Sequence, residues 1–536
     1  MATVYVNNTA QTDNGWGVGD DTRNYATAQD KSTPWASLTE VRAQATAMQP
    51  DDIVIIYGTE ANPSTHTDTN FTIADALDWR AENEGFVTFQ TDAGTSRTVN
   101  MTQPNKFTGI IFDANGMNYG VYFGNIAGQT QLINCQVINW ALQGVFGQDG
   151  LKLENTQITT TTASTSSDIQ GVRINANRAS TESLIEMDAD SKITISHTAA
   201  SGSIHGIFIK PIGTDDLNVN AQIIGDGVKT LVDITTVNAA VVVQHIRFGD
   251  TVGRSISDII VRDVVSRSQG PSTDVGFLEI LNDIGAAGAP ITTATCEITG
   301  NNCKHTGSTP TSGRGILIGT DSNSAVVASS LFTASGFLCQ NNDIENVSHG
   351  IELGGCDGLI VKRNVIRECD QSTIHKRSDA CQFRSNEVYN PRQAAFRFKS
   401  STNCVIDNSI IVVDKDINTD NNGLLQFDND GDTASSGNVT QNCSVYFKAG
   451  AVCNRVIHGD ADSVGEWTAN NNNYYAVDGW GTSAAAAFAN INAVTYTFDT
   501  YQAAFETTAT ELNNPVLSIG GSGGGTSQII SNNIIS

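Results

Sequence analysis

Four asparagines, Asn342, Asn364, Asn386 and Asn408, stand at a single spacing of 22 residues. Two places after each comes an aliphatic residue: Ile344, Ile366, Val388 and Ile410. A fixed period of about 20–50 residues marks a chain built from stacked units. The segments between the asparagines are short, β-branched and broken by Gly, Asn, Asp and Ser. That is the chemistry of strand and turn, whereas helical repeats are longer and rich in Leu, Ala, Glu and Lys. Each repeat therefore reads as one coil of a parallel β-helix, burying its inward side chains against the next coil about 4.8 Å away. The asparagines would form a ladder at a turn, where carboxamides bond up and down the stack and the backbone tolerates αL geometry.

The same pattern sets the expected organisation. The fold class is all-β: a single-stranded parallel β-helix over 61–465, an N-terminal helical cap at 1–60, and a C-terminal cap and tail at 466–536. A capping box, Ser37-Leu-Thr-Glu40, precedes Leu38, Val41, Ala45 and Met48 on one helical face. "DDIVIIYG" (51–58) reads as a buried strand. Asp113, Asn134 and Asn155 stand 21 apart and mark early coils; coil length varies over 156–300, and the repeat is cleanest from Gly313 to Val413. "TFDTYQAAF" (497–505) reads as a short helix started by Asp499, and "GGSGGG" (520–525) as a linker.

The formal charge of −26 and pI near 4.5 argue against a nucleic-acid partner, which wants a basic surface. No apolar run approaches a membrane span, and no signal-peptide pattern opens the chain. The ten cysteines include no CxxC pair and read as small apolar core residues, with Cys296 and Cys303 close enough in sequence for a bridge.

Runs such as "GIELGGCDGLIVKRNVI", "TIHKRSDACQFRSNEV" and "AAFRFKSSTNCVIDNSII" resemble the right-handed parallel β-helix proteins of the pectate-lyase-like superfamily. That group includes polysaccharide lyases, glycoside hydrolases and phage tailspikes. The resemblance implies recognition, and depolymerisation, of an extracellular anionic polysaccharide by a tailspike-like virion protein. Such a protein would be extracellular or on a virion, a homotrimer, and in contact with other virion proteins. Two alternatives stay open: a secreted polysaccharide lyase acting by β-elimination, and a non-catalytic structural virion protein.

Charge distribution points to one stretch. Between Lys362 and Lys399 lie nine basic residues and four acids, a local balance of +5 (9 − 4) on a chain of −26. Period 22 stacks Lys362 under Arg384, His375 under Arg397 and Arg377 under Lys399. Like charges at neighbouring strand positions repel, so an anion across them is the functional reading and solvated ladders are the structural one. Aligning "IEL" (351–353), "IHK" (374–376) and "FRF" (396–398) turns Ile351, Ile374 and Phe396 inward. Glu352, His375 and Arg397 then form an outward column able to act as acid–base pair and carboxylate clamp. The segment from Ile374 is also similar to the lysine–arginine segment of alginate lyase and chondroitinase B-type lyases. That resemblance makes Lys376 the base, Arg397 its assistant one coil later, and calcium the neutraliser of the substrate carboxylate. The candidate catalytic set is thus Lys376, Arg397, His375 and Glu352; Arg377, Lys399, Arg384, Lys362 and Tyr389 would bind substrate. "DNDGD" offers Asp428, Asp430 and Asp432 for calcium. A hydrolase would instead use a carboxylate pair drawn from Glu352, Asp370 and Asp379.

Overall fold

A short strand with one apolar face needs partners on both edges, and in a repeating chain the coils above and below supply them. The computed structural model describes residues 2–44, 46–67, 72–92, 96–124, 128–160, 168–176, 183–211, 217–249, 256–281, 292–319, 331–415, 423–428, 435–451, 453, 455–460, 467–476, 488–491, 494–505 and 510–511. Its strands fall into three 16-stranded sheets. The first runs from Thr3–Val6 and Ile53–Ile56 to Trp467–Asn470, the second from Ser64–His66 to Thr510–Glu511, the third from Thr72–Ile73 to Val494–Tyr496. The chain visits the sheets in turn, and each strand pairs in parallel with its counterparts one coil away. The exception is the last pair of the third sheet, Ala489–Ile491 with Val494–Tyr496, which is antiparallel.

Among the described residues, α-helix is confined to Leu38–Ala43 and Phe498–Phe505. Ser37 accepts the Glu40 N–H at 3.2 Å, as the capping box predicts. The helix stops at Ala43, short of Met48, and Thr3–Val6 already belongs to the first sheet through its pairing with Ile53–Ile56. The linker at 520–525 lies outside the described residues.

From Gly300 onward the turn from the first to the second sheet contains two residues. The first sits in the left-handed region, as at Asn341 (φ 57°), Arg363 (56°), Ser385 (53°) and Asn408 (49°); the second points inward. Asn342, Asn364 and Asn386 occupy the inward place with no exposed surface. Asn342 Nδ2 donates to Asn364 Oδ1 at 2.8 Å, and Asn364 Nδ2 to Asn386 Oδ1 at 3.0 Å. Each Oδ1 also accepts the backbone N–H of the asparagine below, at 3.0 Å. The ladder is real, with two corrections. It begins one coil earlier, where Asn301 Nδ2 donates to Asn342 Oδ1 at 2.8 Å. It ends in Ser409, whose Oγ accepts the Asn386 N–H at 3.2 Å. Asn408 is the exposed left-handed residue of that turn, because this coil is one residue longer; Ile411, not Ile410, is the fully buried aliphatic. Likewise Asn134 and Asn155 are left-handed turn residues, while Asp113 lies on a strand of the second sheet.

The aliphatics that follow the ladder pack against the third sheet at a run of small residues. Gly120, Gly144, Gly171, Gly206, Gly315 and Gly350 each face a branched side chain of the second sheet. A Cβ there would come within 2.6 Å of a methyl carbon: Val137, Ile158, Ile193, Val232, Ile344 and Ile366 in turn. A Cβ on Gly350 would also lie 2.3 Å from the Ser372 carbonyl oxygen. Backbone cannot yield as a side-chain tip can, so Gly350→Ala is expected to destabilise by about 2–3 kcal/mol. Thermal melting measures it, and an unchanged melting temperature would contradict the close packing of these two sheets.

All ten cysteines are free thiols and nine are buried. Cys296 and Cys303 lie on strands of the first and second sheets. Burial pushes the Cys296 and Cys303 thiols up to about 12, so they pack as the apolar core residues expected.

Candidate active site on the outer face of the third sheet

The register of the third sheet decides what the outward column contains. Ile351 pairs with Thr373 and Thr373 with Phe396; Glu352 with Ile374 and Ile374 with Arg397; Leu353 with His375 and His375 with Phe398. The alignment drawn from apolar residues is therefore one residue out in its middle coil, because it put the β-branched Ile374 inside. Ile374 faces outward and His375 inward. A one-residue slip exchanges the faces of every side chain on the strand. His375 is fully buried, stacked at 5.3 Å and 6° on Phe398 and packed at 4.3 Å against Phe383. Burial lowers it to about 3, so it does not titrate between pH 5 and 8 and cannot serve as a solvent-facing acid, base or clamp. Lys376, which the slipped alignment turned toward the core, shares its column with Gly354 and Lys399 on the outward side.

Glu352 is the centre of this face. It is only 1% exposed, and its Oε2 accepts from His349 Nδ1 at 2.7 Å and Arg314 Nε at 3.3 Å. Burial would raise its pKa, but the bond and charge of His349, with Arg314 and Lys376, outweigh that and hold Glu352 down to about 2. It is a carboxylate at any working pH. Two coils on, Arg397 grips Asp428 through Nε at 3.2 Å and Nη2 at 2.5 Å, and donates Nη1 to Gln371 Oε1 at 2.9 Å. Burial raises Asp428, against the bond and charge of Arg397 and the charge of Lys399. Gln244 Nε2 donates to the buried Glu279 at 2.8 Å further down the same face.

The structure brings together Glu352, Lys376, Arg397, Lys399 and Asp428 and separates the rest. Lys362 and Arg384 pair with each other as expected, but on the first sheet. Tyr389 lies on the second sheet beside Arg367, its hydroxyl donating to Glu387 at 2.8 Å. Arg377 is a buried left-handed residue (φ 53°) whose N–H bonds the Lys399 carbonyl, and it is Lys376 that pairs with Lys399. A period shows which residues share a rung, and a rung passes through three faces. The carboxylates proposed for hydrolysis do not converge either: Asp370 holds Arg392 at 2.6 Å and Asp379 accepts from Thr402 at 2.8 Å, both at turns. Calcium does not fit Asp428, whose carboxylate already carries a guanidinium; Asp430 and Asp432 lie outside the described residues. Among the described residues no three metal-ligating side chains cluster.

Sequence reasoning missed Arg314, His349 and Gln371. The signal was present: "RGILI" and "HGIEL" repeat the earlier "YGVYF", "QGVFG", "QGVRI" and "HGIFI". Each motif gives an outward residue, the packed glycine, an inward aliphatic, a second outward residue and a second inward residue. Extending it to "QSTIH" and "AAFRF" yields the observed register.

No protein-family model matches the sequence, and no curated protein matches it. Solved structures do match along most of the chain. The A-module of a mannuronan C-5 epimerase from Azotobacter vinelandii matches at 10% identity over 88% of this chain and 96% of that one, TM-score 0.24. The Dettilon tailspike protein matches at 10% identity over 89% and 68%, TM-score 0.22. A lacto-N-biosidase from Eubacterium ramulus matches at 11% identity over 89% and 68%, TM-score 0.20. The chain is a parallel β-helix. Three parallel sheets visited in rotation define that β-helix, and the outer face of its third sheet carries the ion-paired cluster.

Proposed function

We propose that this β-helix recognises an acidic polysaccharide on the outer face of its third sheet, at the cluster around Glu352. One observation carries the reading. Between Arg314 and Asp428 the outward columns hold Arg314, Lys376, Arg397 and Lys399, with His349, against the carboxylates of Glu352 and Asp428. That local excess of cations stands on a chain of −26. Pairing orients the side chains, and the net positive balance of these columns attracts a carboxylate- or sulfate-bearing sugar. The reading includes an extracellular or virion location and a homotrimer; light scattering that finds a monomer at micromolar concentration removes the trimer.

The test is titration of polygalacturonate, alginate and a sulfated glycan, with ultraviolet absorbance followed for an unsaturated sugar. Binding is expected, weakening steeply with salt because exposed charges are screened. Arg397→Ala is expected to lower affinity about tenfold or more, since it removes a two-bond donor and releases the Asp428 charge into the site. Lys399→Ala is expected to cost less, an ammonium being a single point of contact. Absorbance growth would make the protein a lyase, and binding alone a recognition protein. Absence of binding to every anionic glycan would refute the reading.

A further inference from the structure

The first half of the same face has a different chemistry. Over six successive strands, from Arg97–Met101 to Val241–Phe248, one outward column reads Asn100, Tyr122, Phe146, Arg173, Phe208, Arg247. The outward column beside it reads Arg97, Tyr119, Gln143, Gln170, His205, Gln244. Neither holds a carboxylate until Glu279, although Asp and Glu outnumber Lys and Arg 56 to 30 in the chain. The rings are half-buried and ordered against the guanidinium groups. Tyr122 and Phe146 stack at 5.1 Å and 19°, with Arg97 over Tyr122 at 4.0 Å. Phe208 lies between Arg173 at 5.3 Å and Arg247 at 5.4 Å.

We infer that this aromatic–arginine platform is a second binding zone for the same acidic glycan, a zone that holds the chain without acting on it. The faces of Tyr122 and Phe208 are taken by Phe146 and by guanidinium groups, so the rings hold Arg97, Arg173 and Arg247 in place, and those groups match the carboxylates of an acidic sugar. Absence of acids from both columns gives the charge complementarity. The zone is continuous with the Glu352 cluster along one sheet. Seven strand steps separate Tyr122 from Glu352, about 34 Å at the spacing of parallel strands. A glycan running along the solenoid axis and spanning that distance would touch both zones, whereas a short fragment would touch one. The inference rests on the reading of an acidic glycan ligand.

The experiment titrates long polygalacturonate and its trisaccharide against wild type, Tyr122→Ala, Phe208→Ala and Arg397→Ala. Arg97→Gln and Arg247→Gln are added because they keep the rings and the packing. Platform variants are expected to bind the long chain about tenfold more weakly, with trisaccharide binding at the Glu352 cluster unchanged. Arg397→Ala should weaken both. Platform variants that bind the long chain as wild type does would overturn the platform and leave the cluster standing. Loss of binding in the platform variants with none in Arg397→Ala would keep the platform and discard the cluster. A wild type that binds neither ligand refutes both.

Discussion

Acidification from pH 7 to pH 4 is expected to destabilise the solenoid by several kcal/mol. His66, His245 and His375 are buried: burial lowers His66 to about 4 and His375 to about 3. It lowers His245 to about 3 too, with the charges of His305 and Arg267 adding to it. In the unfolded chain each titrates near 6.5. Between those values the unfolded state binds the extra protons, so stability is fully present above about pH 6.5 and falls as pH drops toward the folded values. The slope is about 1.4 kcal/mol per pH unit for each such histidine. Glu352 acts in the same direction: its lowered folded value contributes stability above the ordinary carboxylate range that is lost as pH falls toward about 2. His375→Phe should fill the same slot between Phe383 and Phe398 and flatten the acid limb by about 3 kcal/mol at pH 4. Melting curves at pH 7, 5.5 and 4 measure this. A variant that loses as much stability as wild type would show that His375 is not buried and neutral.

Asn364→Leu is expected to lose about 3–5 kcal/mol. Asn364 Oδ1 accepts two donors of Asn342, its backbone N–H at 3.0 Å and Nδ2 at 2.8 Å, and its own Nδ2 donates to Asn386 Oδ1 and to the Lys362 carbonyl. Leucine leaves those groups buried without partners, each costing about 1–3 kcal/mol, with neighbours that cannot reach water. Asn364→Ser should lose less, because Ser409 already fills the same place and accepts the N–H of the coil below. Denaturant unfolding of the two variants gives the comparison. Equal stability of Asn364→Leu and wild type would contradict a buried carboxamide ladder.

How far the sequence led is clearest in the ladder and the site. The spacing of 22 exposed Asn342, Asn364 and Asn386 correctly, because a stacked carboxamide must recur at the same point of each coil. It missed Ser409, because a hydroxyl can satisfy the same N–H and leaves no visible period. Lys376 and Arg397, paired by the lyase resemblance within the basic stretch, do lie on one face, although the apolar alignment turns Lys376 inward. Lys362 and Arg384 came from the same charged stretch and, with the candidate Tyr389, lie on the other two. Charge density along a chain does not encode direction, and direction changes twice within each coil.

The sequence by itself determined the repeat, the strand-and-turn chemistry, the cysteines as core residues and the acidic surface with one basic stretch. Each follows from local composition and a period, which need no knowledge of register. Only the tertiary structure decided which face each side chain joins. The motif "HGIEL" places its glycine against Ile366, and that contact sets Glu352 outward, Ile374 above it and His375 inside. Ile374 faces outward yet stays buried, whereas a histidine inside runs against its transfer preference. The energy of aligned strands and of a glycine packed on a neighbouring sheet outweighs that preference at a single position.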